Sequence, residues 1–415
     1  MAEICLLLLI VATWACLAYL VPTLFALVPR PFRSHDSTLS FAILVPAHNE
    51  EAVLPITLAA LDRIDYPRDM VRVYVVADNC SDRTADLASA SVCLVRNDSE
   101  RRGKGYALEF GLRAILADEP DVVLILDADC LMNPEALGEL SAVLSSGAEA
   151  AQTVVRSCNA DDGPAGYAIA VGTALDDAVA AGLDRLGRST ALRGTGMAFR
   201  REVLERVPWT ARSATEDAEY DLLLRAAGIR IRYCGGATVC CAAPVKSEAL
   251  NRQRRRWRAA LLAAGWTHLP LRITQSKPLI LIQLFVTCGV CFALGPAWTM
   301  WWAAGLLVAT SSLYLRAIVE VGVTRNRIGL LAMAPLVVAR LAYVTLVGLI
   351  RRVPGRWEPG CREPQLEERD AICQETSVAE TDVDAPVRPA APVRTRSRPA
   401  DIRRWSSSRL HVNGS

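Results

Sequence analysis

Apolar and polar positions divide the chain into two regimes. From residue 5 to 28 (CLLLLIVATWACLAYLVPTLFALV) no position is charged across 24 residues, and about 20 apolar residues suffice for a helix to cross a bilayer. A second uncharged run covers 278–315, 38 residues with Gly295-Pro296 near its middle, which predicts two short helices joined at that turn. A third apolar stretch, 329–350, is interrupted by Arg340 and flanked at both ends by arginines (325, 327, 351 and 352). Charge counting therefore gives it no direction. A span, a re-entrant hairpin and an interfacial helix stay open there, the span being expected.

Between these runs, residues 40–245 alternate strand and helix patterns. Phe41 to Val45 is an apolar run ending at Pro46, Val71 to Ala77 (VRVYVVA) is a second, and Val92 to Val95 and Val122 to Leu126 (VVLIL) complete four strands. Helical spacing covers 50–62, Thr84 to Ala90, 105–117 and Tyr220 to Ala227. Repeated strand–helix units predict an α/β fold with a mainly parallel sheet covered on both faces. In such sheets ligands bind beyond the carboxyl ends of the strands. Polar residues cluster at those ends, after Val45, after Ala77 and after Leu126.

Composition refines this division. The mean hydropathy of +0.23 is high for a soluble enzyme, and the excess lies in the apolar runs. A net charge of +2 argues against a nucleic-acid partner. The start Met-Ala-Glu lacks the positive charge of a cleaved signal peptide, whereas Arg30 and Arg33 follow the first run. An uncleaved anchor is expected, a signal peptide being the alternative, with the following domain on the cytoplasmic side of the cell's inner membrane. The 13 cysteines show no disulfide framework and read as small buried hydrophobes of a reducing compartment. Residues 361–384 hold eight acids against two arginines, and 385–409 hold seven arginines and one acid. With no apolar periodicity, this end reads as a disordered tail. The expected organisation is an anchor at 1–30, a catalytic domain at 40–245, an amphipathic segment at 246–275, two or three membrane helices within 278–350 and the tail at 358–415.

The chemistry sits at the strand ends. Asp127-Ala128-Asp129 closes VVLIL, and two carboxylates there make a half-shell of hard oxygen ligands suited to Mg²⁺ or Mn²⁺. Alone, this spacing also occurs in solvated turns. Asp78 opens the run Asp78-Asn79-Cys80-Ser81-Asp82; Ser81 or Asp82 would cap the next helix, leaving Asp78 to accept hydrogen bonds from a base or ribose. Arg101-Arg102-Gly103-Lys104-Gly105 offers positive charge for an anion, or is a basic surface turn. Thr215-Glu216-Asp217 would either cap a helix and complement its dipole or supply a general base, Asp217. Five arginines lie between 252 and 258 around Gln253, Arg256 and Trp257. Their guanidinium forks suit phosphate oxygens, and some would equally suit lipid headgroups.

Taken together and in order, Pro46-Ala47-His48-Asn49-Glu50, Asp78, Asp127-Ala128-Asp129, Gly194-Thr195-Gly196-Met197, Thr215-Glu216-Asp217 and Gln253-x-x-Arg256-Trp257 resemble the family 2 glycosyltransferases, the inverting membrane enzymes related to cellulose, chitin and hyaluronan synthases. The resemblance covers about residues 40–260. It implies a GT-A (nucleotide-diphospho-sugar transferase) domain flanked by transmembrane helices, and a nucleotide-sugar donor, usually a UDP-sugar such as UDP-glucose or UDP-N-acetylglucosamine. Carried over by position, Ala47, Glu50 and Asp78 would hold the nucleoside, with Lys104 near the base or phosphates. Asp127 and Asp129 would meet the diphosphate and its metal. Asp217, with Glu216 beside it, would be the base. Gly194, Thr195, Gly196, Gln253, Arg256 and Trp257 would bracket the diphosphate and the acceptor. With one apolar helix before and two or three after the catalytic region, the chain has fewer spans than polymer-exporting synthases. The expected activity is β-linked transfer to a saccharide, with a single transfer to a membrane lipid as the alternative and a catalytically silent membrane subunit as a minor one.

Overall fold

A computed structural model of the protein describes residues 1–28, 39–88, 91–243, 251 and 277–350. Gln253, Arg256 and Trp257, nearly all of the amphipathic segment and the tail at 358–415 lie outside the described residues.

Strand β1 (Phe41–Ala47) is buried along its whole length. Phe41, Ile43, Val45 and Ala47 join one apolar cluster with Leu54, Val75 and Leu124. Ala42 and Leu44 join a second with Tyr74, Val76, Leu108 and Leu112. Successive strand residues point to opposite faces, so a continuous apolar run is what a strand covered on both sides requires. Each fully buried leucine, isoleucine or phenylalanine contributes about 1.5–3 kcal/mol.

β1 pairs in parallel with β2 (Val71–Asp78) and β4 (Val122–Ile125), and β2 pairs in parallel with β3 (Val92–Arg96). The sequence expectation ended β1 at Pro46, but the strand continues through Ala47. The reason lies in its register. Leu44 O accepts from Leu126 N on the β4 side, and Pro46, two residues on, faces the same way. Pairing with β4 stops at Leu44 and Ile125, so the missing proline N–H leaves no ladder bond unmade.

Helices α2 (Leu54–Leu61), α3 (Thr84–Leu87) and α4 (Lys104–Leu116) connect these strands. α2 starts four residues later than the helical spacing from residue 50 suggested, and of the expected helix to residue 90 the described part ends at Leu87. Asn49 and Asn79, at the ends of β1 and β2, both have positive φ (57° and 51°), a conformation that asparagine tolerates better than most residues. Each turns the chain out of the sheet.

The second half adds two antiparallel strands to the expected mainly parallel sheet. It comprises β5 (Cys130–Met132), α5 (Ala136–Ser145), β6 (Ala150–Ser157), α6 (Pro164–Arg185), β7 (Met197–Arg200), α7 (Arg201–Arg206), α8 (Glu216–Ala226) and β8 (Ile231–Cys241). Among the described residues, eight strands form one sheet in the order β3-β2-β1-β4-β7-β6-β8-β5. β7 runs antiparallel to β4 and β6, and β5 antiparallel to β8, while β6 and β8 are parallel. The opposed strands are three and four residues long, too short for a period of two to register. α8 begins at Glu216, not Tyr220, so Glu216 and Asp217 belong to its first turn.

Among the described residues, three helices are long and apolar enough to cross a membrane: α1 (Ala2–Phe25), α9 (Lys277–Leu294) and α10 (Ala297–Val321). The break between α9 and α10 falls at Gly295-Pro296, as the sequence predicts. The third apolar stretch is a bent pair, α11 (Arg325–Ala332) and α12 (Ala334–Ile350), with an angle of 53° between its arms.

Cys5, Leu9, Ala12 and Cys16 of α1 pack with Leu284, Cys288 and Cys291 of α9 and with Ala303 and Leu306 of α10. Tyr19 packs with Leu313 and Ala317 of α10 and with Tyr167, Ala170, Val171 and Ala174 of α6. α1 and α10 therefore run the same way. Ion pairs tie the bundle to the α/β domain: Lys277 to Asp176 at 2.5 Å, Glu320 to Arg156 at 3.5 Å and Arg327 to Asp161 at 2.6 Å. At Gly182 of α6 a methyl group would collide with the Pro22 carbonyl of α1. All of these contacts lie at one end of the bundle, and the Gly295-Pro296 turn lies at the other. Away from α6 the helices expose large apolar side chains, including Trp14, Trp301, Val308 and Leu315, a surface suited to lipid rather than water.

Candidate active site

Four elements converge beyond the carboxyl end of β4: the turn carrying Asp127 and Asp129, the first residue of α4, the loop 193–196 and the first turn of α8. Lys104 joins them. Its Nζ lies 2.5 Å from Asp127 Oδ1 and 3.3 Å from Glu216 Oε1, and donates to Gly194 O at 2.7 Å. An ammonium carries three donors, and here each has an oxygen partner. The side chain is 13% exposed. Burial alone would lower its pKa, but Asp127 and then Glu216 outweigh it and hold the lysine above its ordinary range. α4 presents Lys104 this way because its amino end is pressed onto the chain at 211–212. A Cβ at Gly105 would clash with the Ala211 carbonyl.

Asp217 completes the group. Burial, and next the charge of Glu216, push its carboxyl up to about 7, against the opposing pull of Lys104. Such a carboxyl is partly protonated at neutral pH. Asp129 is likewise raised, by burial first and by the charge of Asp127 second. Its Oδ1 accepts from the Cys130 thiol at 3.5 Å. Asp127, Asp129 and Cys130 each offer an atom within 4.8 Å of the other two, the one such group of possible metal ligands among the described residues. Two carboxylates at that spacing fit a hard divalent cation. A carboxylate has two oxygens, so Asp127 can keep Lys104 on Oδ1 and still offer Oδ2.

The acceptor-side segment stands against this group. Asp127 N donates to Thr195 Oγ1 at 3.1 Å. Gly194 has φ +84°, and a Cβ there would lie 3.5 Å from Asp217 Oδ2. Gly196 has φ +63°, and a Cβ there would collide with the Thr153 hydroxyl. Both positions therefore require glycine.

The expected nucleoside residues lie at the neighbouring strand ends. Ala47 is fully buried, so only its backbone is available, and its carbonyl O accepts from the Cys80 thiol at 3.6 Å. Glu50 is buried, and its N–H donates to Thr84 Oγ1 at 2.8 Å. Asp78 is 1% exposed and ion-paired with Arg96, and Asn79 Nδ2 donates to it at 3.1 Å. Burial nonetheless leaves its carboxyl raised, with Arg96 opposing. Asp82 accepts from Thr84 N at 3.0 Å, but the N-cap of α3 is Arg83, with no side-chain cap bond, so neither Ser81 nor Asp82 holds the expected capping position. Thr215, at the N-cap of α8, makes no side-chain cap bond.

Sequence reading brought out Lys104, Asp127, Asp129, Gly194, Thr195, Glu216 and Asp217, and the fold gathers them. It missed Arg96, Gln152, Asp177 and Arg193. Gln152 left one trace, an amide side chain in the apolar run Ala150-Ala151-Gln152-Thr153-Val154-Val155.

Residues 38–260 match the family described as "Glycosyltransferase like family 2". Over 230 residues the chain is 30% identical to the probable glycosyltransferase YdaM of Bacillus subtilis (strain 168), covering 52% of this chain and 54% of that protein. A shorter match, 32% identical over 109 residues, relates 25% of this chain to 28% of the 4,4'-diaponeurosporenoate glycosyltransferase of Staphylococcus haemolyticus. The chain thus spans about half the length of the first of these relatives, and less of the second. Among solved structures, it is similar to the mannosyltransferase PcManGT from Pyrobaculum calidifontis in complex with GDP-Man and Mn²⁺. The TM-score is 0.53 at 19% identity, over 83% of this chain and 98% of that one, a likeness of fold.

Proposed function

The chain belongs to the family described as glycosyltransferase-like family 2, and we propose that it moves a hexose from a nucleotide-sugar onto a saccharide with inversion, building a β-linked oligosaccharide or exopolysaccharide. UDP-glucose and UDP-N-acetylglucosamine are the donors proposed first. One observation carries this reading. A single buried ammonium, Lys104, is shared by Asp127 at a strand end, Glu216 at a helix start and the backbone of Gly194, with Asp217 alongside.

Each residue has a role that its surroundings support. Asp127 and Asp129 would hold Mg²⁺ or Mn²⁺, whose charge, when bound, stabilises the departing diphosphate. Asp217 takes the proton of the acceptor hydroxyl; a carboxyl held near 7 is basic enough to do so and still ionised in part at neutral pH. Glu216 keeps Lys104 in place and raises the proton affinity of Asp217. One displacement with one base inverts the configuration of the transferred sugar. Ala47, Glu50 and Asp78 are proposed beside the nucleoside, and Gln253, Arg256 and Trp257 beside the diphosphate and acceptor.

α1, α9 and α10 are proposed to span the inner membrane with the α/β domain in the cytoplasm. Arg30 and Arg33 follow α1, and positive charge stays inside. A second reading, transfer of one sugar to a membrane lipid, draws support from α6. That helix receives the apolar bundle and also anchors Arg193 at the edge of the acceptor loop.

The test is release of nucleoside diphosphate by the detergent-purified chain, across UDP-sugars and GDP-mannose, in Mn²⁺, Mg²⁺ or EDTA. Metal-dependent release from one donor, abolished in Asp217→Asn, is the expected result. Product size, a ladder or one lipid-soluble species, separates the two acceptors. No release from any donor with sugar primers and membrane lipids present would sink the transferase reading.

A further inference from the structure

The loop Gly194-Thr195-Gly196 has an inner and an outer side. Inward, Gly194 O holds Lys104 Nζ and Thr195 Oγ1 holds Asp127 N. Outward, the loop rests on Gln152, a fully buried residue of β6. Gln152 Nε2 donates to Thr195 O at 2.9 Å and to Gly196 O at 3.4 Å, and its Oε1 accepts from Arg193 N at 3.0 Å. One carboxamide therefore clamps the backbone on both sides of Gly194. Arg193 in turn forms an ion pair with Asp177 of α6 and donates to Val155 O at 3.4 Å.

Stability alone does not account for this arrangement. Asp177 is 3% exposed, and its Oδ2 has no hydrogen-bond partner among the described residues. A buried ion pair is often no better for stability than apolar residues of the same volume, and an orphaned buried oxygen carries a desolvation cost. What the pair and the carboxamide do provide is placement. Two of the three loop residues are glycines with positive φ, so the loop has almost no side chains of its own to fix it. It is located from behind by Gln152 of β6 and by Asp177 of α6, the latter acting through Arg193, the residue that precedes Gly194.

We infer that Gln152, Arg193 and Asp177 are positioning residues for the transfer step. They set the height of Gly194 O and Thr195 Oγ1, and thereby keep Lys104 and Asp127 in register with Asp217. This rests on the transferase reading of the same site. The anchor also lies on α6, the helix that the apolar bundle grips through Tyr19, Leu313 and the Asp176–Lys277 pair. The rear support of the acceptor loop and the seat of the apolar helices are one structural element.

The test uses the full chain in detergent with Gln152→Met, Asp177→Asn and Arg193→Lys. Three quantities are read: amide hydrogen exchange of peptides covering 192–197, binding of UDP with Mn²⁺, and nucleoside diphosphate release from the donor the wild type accepts. Gln152→Met and Asp177→Asn should speed exchange in the loop about tenfold or more and cut release about 100-fold, the cost of displacing catalytic groups by about 1 Å. UDP affinity should fall by no more than about tenfold, far less than the rate, because the nucleoside contacts lie on other strands and only the diphosphate end meets Asp127 and Lys104. Arg193→Lys, which keeps the charge facing Asp177, should retain more of the rate than Asp177→Asn. Loop exchange unchanged in both variants overturns the inference. So does a loosened loop with undiminished release, or UDP affinity falling in step with the rate. If Gln152→Met does not fold, Gln152→Glu keeps the acceptor oxygen, removes the donations to Thr195 O and Gly196 O, and is held to the same outcomes. If the wild type itself releases nothing from any donor, the transferase reading fails, and exchange alone then decides whether Gln152 and Asp177 hold the loop.

Discussion

Lys104→Met removes one charge and keeps most of the side-chain stem. In the folded chain the ammonium sits 2.5 Å from Asp127 and 3.3 Å from Glu216, 13% exposed, and also holds Gly194 O. Without it, Asp127, Glu216 and Asp217 face one another with no cation between them. Removing one partner of a buried pair costs about 3–5 kcal/mol, out of a typical total of about 5–15 kcal/mol. At about 2–4 °C per kcal/mol for a domain of this size, melting should fall by about 6–20 °C. The deficit must also depend on pH, with a definite sign. Asp217 already stands at about 7 with Lys104 opposing burial and Glu216, and loses that opposition in the variant. A carboxyl whose folded pKa exceeds its unfolded value of about 3.9 binds extra protons when folded. It therefore costs nothing below that value and subtracts stability progressively as pH rises toward the folded pKa. The variant should trail the wild type more at pH 8 than at pH 5. The assay is thermal melting by tryptophan fluorescence in detergent, with EDTA present so that no divalent ion substitutes for the ammonium. A melting point within about 2 °C of the wild type at pH 8, or a deficit no smaller at pH 5, would refute the proposed electrostatic balance.

Three further outcomes follow from the same geometry. Nucleoside diphosphate release should rise with pH through an acid limb near 7, set by Asp217. Glu216→Gln removes a charge that raises that carboxyl, so the limb should move to lower pH, and a limb that stays put contradicts the assignment. Gly194→Ala places a methyl 3.5 Å from Asp217 Oδ2 at φ +84°; the strain should cost about 1–2 kcal/mol and slow release, whereas wild-type melting and rate together would rule this out. Asp129→Asn should weaken Mn²⁺ binding by at least about tenfold in a paramagnetic-resonance titration, on the scale of losing one carboxylate ligand; unchanged binding would exclude Asp129 as a ligand.

What the sequence discloses and what it withholds follow from the range over which each residue acts. β1 and β4 are legible because a strand buried on both faces must be apolar at every position, β2 because Arg72 alone interrupts its run before Asp78, and Asp78 and Asp127 are legible because they stop such runs. β5 and β7 are too short to carry a period, so the two antiparallel strands stay hidden. Gln152 and Asp177 are hidden for another reason. Their partners, Thr195 and Arg193, are 43 and 16 residues away, and no local pattern pairs an amide in a strand with a loop in a later segment. Lys104 lies between these cases. Its presence in a basic stretch is plain, yet the stretch does not say which cation turns inward. That is decided by the contact of Gly105 with Ala211, which presses the start of α4 toward α8. The point matters for reading acidic motifs at large. Asp127, Asp129, Glu216 and Asp217 gathered in one partly buried place would repel one another, and a fold that brings them together must supply a counter-charge. A sequence search for acids should therefore also ask which lysine or arginine the fold can deliver among them, because that residue decides whether the acids can share a site before any metal arrives.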